Sequence, residues 1–274
     1  MKKLLLLATA TITLFSCGPS EAELKKIAQE EIDKSKKEID SQFDLIMDEY
    51  YLADLEFEKS PAVNKIKKHL SSKHDDVKQY AQKHIDSIPK LKAELHDLIY
   101  GELIEFSEQQ GWDKMSKDEF KNIENSLKIN GDEFSSGEAY RHPSSPKFIN
   151  QNGFFIYYKK IYSDDKEPLI GLKAQYYDDD WLFVKKAAVS LDGDVYTLDF
   201  DKWDRDNSGG KIYEWSVLPK PSYNIIVKII KSKNAKIRYT GDKYHDDRTI
   251  TSSQKAALKS VLQAYYGLYL KDKI

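Results

Sequence analysis

The spacing of apolar residues changes partway along the chain, and that change rules out any fold built from one kind of element. Between Ser20 and Gly111 the apolar positions fall mostly three, four or seven apart: Ile32, Ile39, Phe43, Ile46, Tyr50, Ala53 and Phe57, then Val63, Ile66, Leu70, Val77, Tyr80, His84, Ile88, Leu91, Leu95 and Leu98. That is one stripe along a helix, close to a seven-residue coiled-coil repeat. After Gly153 the pattern alternates, with Ile170, Leu172, Ala174 and Tyr176 set between Gly171, Lys173 and Gln175, and Ala235, Ile237 and Tyr239 set between Lys236 and Arg238. Alternation is the signature of a strand with one buried face. The expected class is α+β: an N-terminal long-helix hairpin or small helical bundle, then an antiparallel β-sheet domain with a packed C-terminal helix.

Local signals set the boundaries. Ser20-Glu21-Ala22-Glu23 fits a capping box, and Ser60-Pro61 reads as an N-cap followed by proline at the first helical position. Pro89 either kinks the second helix or splits it. The stripe is expected to be buried between helices of this chain. Ser116-Lys117-Asp118-Glu119 is a second capping box before a short helix, and Thr251-Ser252-Ser253-Gln254 opens the last one. The Asp192-Gly193 step marks a hairpin between two strands. These signals divide the chain into a leader at 1–16, a helical stalk or bundle at 17–112, a linker with a short helix at 113–152 and the antiparallel domain at 153–274.

The leader has its own chemistry. Met1-Lys2-Lys3 is basic and Leu4 to Phe15 is uncharged and mostly apolar, the layout of an export signal and too short to span a bilayer as a helix. It ends in Leu14-Phe15-Ser16-Cys17, which resembles the lipobox of bacterial lipoproteins. The resemblance implies cleavage before Cys17, acylation of that cysteine with chains of the palmitate type, and residence in the cell envelope as a membrane lipid-anchored protein, at the outer membrane in a cell that has two. Cys17 is the only cysteine, so the exported chain must fold by burial alone. A formal net charge of -2, from 43 basic and 45 acidic residues, excludes the basic excess of a nucleic-acid binder.

Asp180-Trp181-Leu182-Phe183, Asp192-Gly193, Arg205-Asp206-Asn207, Glu214-Trp215, Ala235 to Arg238 and Asp246 to Ile250 together resemble a β-rich domain of unknown function that recurs in bacterial lipoproteins, over roughly residues 153 to 270. The resemblance implies a fold and a location, and names no activity.

Asp204, Asp206, Ser208 and Gly209 occupy positions one, three, five and six of an EF-hand-like calcium loop, with Glu214 one residue short of the bidentate position. Calcium bound by Asp204, Asp206, Ser208 and Glu214 is therefore weighed against a plain turn. Asp178-Asp179-Asp180 is a solvated turn or an addition to that site, and His245-Asp246-Asp247 offers a base or a ligand. His69, His74, His84 and His96 lack the zinc-binding His-Glu-x-x-His spacing. With no Gly-x-Ser-x-Gly and no phosphate loop, a catalytic residue is not assigned and an enzyme is not expected. Tyr157, Tyr177 and Tyr213 are expected on the outer face of the sheet, as strand formers or as recognition residues. The sequence thus supports a non-enzymatic binding or interaction module, tethered to the membrane through Cys17 and facing an envelope protein or glycan. A calcium-dependent binding module and a hydrolase are the alternatives.

Overall fold

The computed structural model describes residues 20–50, 60–130, 137–161 and 168–274. Cys17, the leader and the stripe positions Ala53 and Phe57 lie outside them. Contacts divide the chain into two compact units, Met1–Ala93 and Glu94–Ile274.

The first unit holds α1 (Glu21–Tyr50), α2 (Pro61–Lys68) and the N-terminal part of α3 (Asp75–Gln109). Both expected caps form. The Ser20 N–H donates to Glu23 Oε2 at 2.7 Å while the Glu23 N–H returns to Ser20 Oγ at 3.3 Å, and Ser60 Oγ accepts from the Ala62 N–H at 3.1 Å. Ile39, Val63, Ile66, Val77 and Ile88 of the apolar stripe are buried within the unit, with Ala62 and Ala81 buried beside them. Polar contacts flank it: Glu31 accepts from Lys73 and His74 at 2.7 and 3.1 Å, and Asp40 accepts from the Tyr80 hydroxyl at 2.8 Å. The helix break falls elsewhere than expected. Helix α3 runs through Pro89, whereas α2 stops at Lys68, where His69–Ser71 tighten into a 3-10 turn. There the Ser71 hydroxyl donates to Lys68 O and Ser72 Oγ accepts from the His74 N–H, local bonds that compete with the helical ladder. Leu70, expected on the stripe, is exposed as a result.

The second unit contains the rest of α3, then α4 (Lys117–Ser126), β1 (Lys128–Asn130), β2 (Gly137–Arg141), β3 (Gly153–Ile161), β4 (Leu169–Asp178), β5 (Lys186–Leu191), β6 (Asp194–Leu198), β7 (Asp204–Ser208), β8 (Lys211–Pro219), α5 (Tyr223–Lys231), β9 (Ala235–Thr240), β10 (His245–Thr249) and α6 (Ser252–Tyr265), which widens into a π-helical turn at Tyr266–Leu270. The strands form two sheets, in the orders β1-β2-β3-β4-β8-β7 and β10-β9-β5-β6, and the pairings are antiparallel. The α+β class stands. The segment 113–152, expected as a linker with a short helix, supplies that helix as α4 and also two strands of the larger sheet: the short Lys128–Asn130 and Gly137–Arg141 runs carry no readable alternation, and only the pairing of β1 with β2 and of β2 with β3 makes them strands.

Register assigns the faces of the larger sheet. Phe154, Ile156 and Tyr158 of β3, Ile170, Leu172, Ala174 and Tyr176 of β4 and Ile212 of β8 point into the core shared with α6. Arg141, Phe155, Tyr157, Lys173, Gln175, Tyr177, Tyr213 and Trp215 occupy the alternate positions and form the outer face. Across the smaller sheet, the β9–β10 turn lies hard against the β4–β5 connection: a Cβ on Gly241 would sit 1.8 Å from Leu182 O. Gly241→Ala is expected to cost about 1–3 kcal/mol in a denaturant titration, because a backbone carbonyl cannot step aside as a side chain can.

Candidate functional site: a clipped aromatic loop

Between β4 and β5 the chain crosses from one sheet to the other through residues 179–185. The loop is held from below by one side chain. Glu214 on β8 pairs in register with Arg205 on β7, so both point to the inner face, and the Glu214 carboxylate is fully buried. Its Oε1 accepts the N–H groups of Leu182 and Phe183 at 2.9 and 2.8 Å, and its Oε2 accepts the Val184 N–H at 2.7 Å and Arg205 Nε at 2.9 Å. Arg205 Nη2 closes the ring by donating to Val184 O at 2.9 Å. A buried carboxylate is tolerated only when its lone pairs are met by donors and its charge by a cation, and here both conditions hold.

The clip forces an uncommon conformation. Phe183 has φ +55, a left-handed backbone that a bulky L-residue adopts at a cost of roughly 1–2 kcal/mol. Its ring is nevertheless 50% exposed. It stacks on Trp181, with centroids 5.6 Å apart and planes 18° from parallel, and the Arg205 guanidinium lies 5.7 Å from its centroid. Tyr244, in the turn that presses on this loop, is 73% exposed. Ion pairs brace the loop at both ends, Lys211 with Asp179 and Lys185 with Asp242.

The acidic residues singled out from sequence are placed differently. Asp204, Asp206 and Ser208 lie in β7, opposite Trp215, Tyr213 and Lys211, on the outer face. Gly209 and Gly210, with φ +62 and +76, make a two-residue hairpin turn. Glu214 faces the other way and its oxygens are engaged by the clip, so the four are not brought together. Among the described residues no three His, Cys, Asp or Glu side chains are grouped to hold a metal. Asp178 accepts from Arg248 at 2.5 Å, and the Asp179 N–H, with Arg248 behind it, holds its carboxyl below the usual range against partial burial. Asp246 also pairs with Arg248, at 2.6 Å, and Asp247 takes Arg238 in a bidentate pair at 2.6 and 2.7 Å. Both carboxylates next to His245 are thereby committed to arginines.

Tyr157, Tyr177 and Tyr213 do share the outer face, Tyr177 and Tyr213 stacked at 5.8 Å, although Tyr213 is buried. A cleft of about 630 Å³ between α5 and α6 is lined by Lys231, Lys233, Lys255 and Lys259. Three of these have structural work: Lys255 binds the Ser232 and Lys233 carbonyls at the end of α5, Lys231 binds Glu102 and Lys259 binds Gln110.

Sequence reasoning weighed Glu214 only as a calcium ligand against a plain turn and missed the clip. The signal was available: Ile212, Glu214 and Ser216 share one parity, and a carboxylate between inward residues must find donors inside the fold. The identity of those donors was not available. Of the residues that carried the resemblance to the β-rich domain, Leu182, Phe183, Arg205 and Glu214 are one hydrogen-bonded unit. Compared with protein-family models, curated proteins and solved structures, the chain finds a match in none of the three.

Proposed function

We propose that this chain is a lipid-anchored, non-enzymatic binding module of the cell envelope, tethered through Cys17, that takes hold of a protein partner with the Trp181–Phe183–Arg205 stack. The observation that carries the reading is the left-handed backbone of Phe183, held by three N–H bonds to a buried carboxylate while its ring stays half exposed. Strain of this kind persists where the surrounding structure enforces it, and it clusters at functional sites. Trp and Arg are the residue types that dominate binding hot spots, and Phe too is enriched at interfaces. A loop already rigid in the free protein loses little entropy on association.

The test separates binding from folding. Phe183→Gly removes both the ring and the backbone strain, so its melting temperature is expected to equal or exceed that of the unsubstituted chain. A photo-crosslinking residue placed at 183 or 244 in the lipidated protein, in its own cells, should give one and the same protein adduct at both positions and none at Lys67. Absence of an adduct at 183 would overturn the recognition reading. Retention of membrane partitioning by Cys17→Ala would overturn the anchor.

A further inference from the structure

Arg141, the last residue of β2, is 4% exposed, yet its charge meets no carboxylate among the described residues. Its Nη1 donates to Ser145 O at 2.5 Å, and its buried Nε has no acceptor. Two strands across the same face, Lys173 is half-buried with no ion pair among the described residues, and burial, then the nearby Arg141 charge, push its ammonium below the usual lysine range. Gln175, two residues along β4, is 1% exposed; its Nε2 donates to Phe148 O at 3.3 Å and its Oε1 receives no donor. Ser145 Oγ is likewise buried and without a partner. The loop 142–152 that covers these groups ends its roof with Phe148, 58% exposed, and Tyr157 packs beside them over Gly171, where a Cβ would lie 3.2 Å from the ring.

A buried and a half-buried cation that repel each other, with no anion between them among the described residues, are costly to the fold. An anion bound there relieves both penalties at once. The unmet acceptor on Gln175 sets a second requirement, because a bare anion has no hydrogen to offer it. We infer that Arg141, Lys173 and Gln175 form a ligand site on the outer face of the larger sheet for a carboxylate carrying a nearby hydroxyl, either a free hydroxy acid or an acidic sugar of a glycan. Arg141 and Lys173 take the carboxylate, and the hydroxyl donates to Gln175 Oε1. The site is independent of the Phe183 loop: Lys173 lies five residues, about 17 Å, along β4 from Asp178, where that loop begins.

Calorimetric titration of the full chain with glucuronate, lactate and glucose tests this. Glucuronate or lactate is expected to bind and glucose is not; binding of glucuronate alone assigns the acidic sugar, and equal binding of lactate assigns the free acid. Lys173→Met, which removes a charge that makes no hydrogen bond among the described residues, should weaken the acid roughly tenfold to a hundredfold while the melting temperature holds or rises. In an NMR titration the Lys173 ammonium should move back up toward its ordinary range when the acid is bound. The proposal is overturned by silence of both acids, by glucose binding as well as glucuronate, or by an unchanged affinity in Lys173→Met.

Discussion

Glu214→Ala is expected to lose about 3–5 kcal/mol of folding stability, a large share of what a domain of this size possesses. The substitution leaves three backbone N–H groups and the Arg205 guanidinium without their acceptor at a fully buried position. The loss should be local before it is global. Hydrogen exchange at Leu182, Phe183 and Val184 should quicken by more than at β3 and β4, and the Phe183 backbone should leave its left-handed conformation. Glu214→Gln keeps an acceptor for Leu182 and Phe183 but turns amide hydrogens toward the Val184 N–H and Arg205, so its cost should approach that of alanine. A Gln variant within about 0.5 kcal/mol of the parent, the range of an ordinary surface change, would show that the charge is dispensable.

The second large effect is pH-dependent. Glu124 on α4 is buried, which by itself pushes its carboxyl up, but four donors outweigh that: Lys121, Lys160 at 2.7 Å, and the Tyr158 and Tyr269 hydroxyls at 2.8 Å each. Together they hold it at about 2, against an ordinary value of 4.5. Burial, followed by the hydrogen bond to Glu124 and then its charge, raises both phenols in return. A carboxyl lowered by folding stabilises the fold above its unfolded value, and that stability drains away as pH falls from about 4.5 to about 2. The amount at stake is about 3 kcal/mol. Glu124 ties α4 to β3 and to the C-terminal π-helical turn, so Glu124→Gln should loosen the packing of α6 as well. Urea midpoints at pH 7 and pH 3 check this: the parent should lose markedly more stability between the two than Glu124→Gln does, and equal losses would refute the assignment.

Helix starts were legible because capping is a bond between neighbours. Ser116 and Glu119, and Thr251 and Gln254, form the reciprocal pairs their spacing announced. The Asp192-Gly193 hairpin was legible for the same reason, its two residues taking φ +52 and +112 between β5 and β6. Alternation placed Tyr157, Tyr177 and Tyr213 on the outer face, but their exposure depended on what lies across the strand, and Tyr213 is covered. The stop at Lys68 was obscured by a stripe that continues through Leu70. Asp-x-Asp-x-Ser-Gly suits a strand ending in a glycine turn as well as a coordination loop, and it is pairing with β8 that makes this stretch a strand.

By itself, then, the chain determined its α+β class, its caps, its two-residue turns and the parity of its strands, since each of these is settled among residues a few positions apart. Tertiary structure alone decided that 113–152 joins the sheet, that Glu214 grips residues 30 to 32 positions earlier in the sequence, and that Arg141 is buried beside Lys173. The physical reason is that the cost of a buried charge is met by whatever the fold brings beside it, and no spacing along the chain records which groups those are.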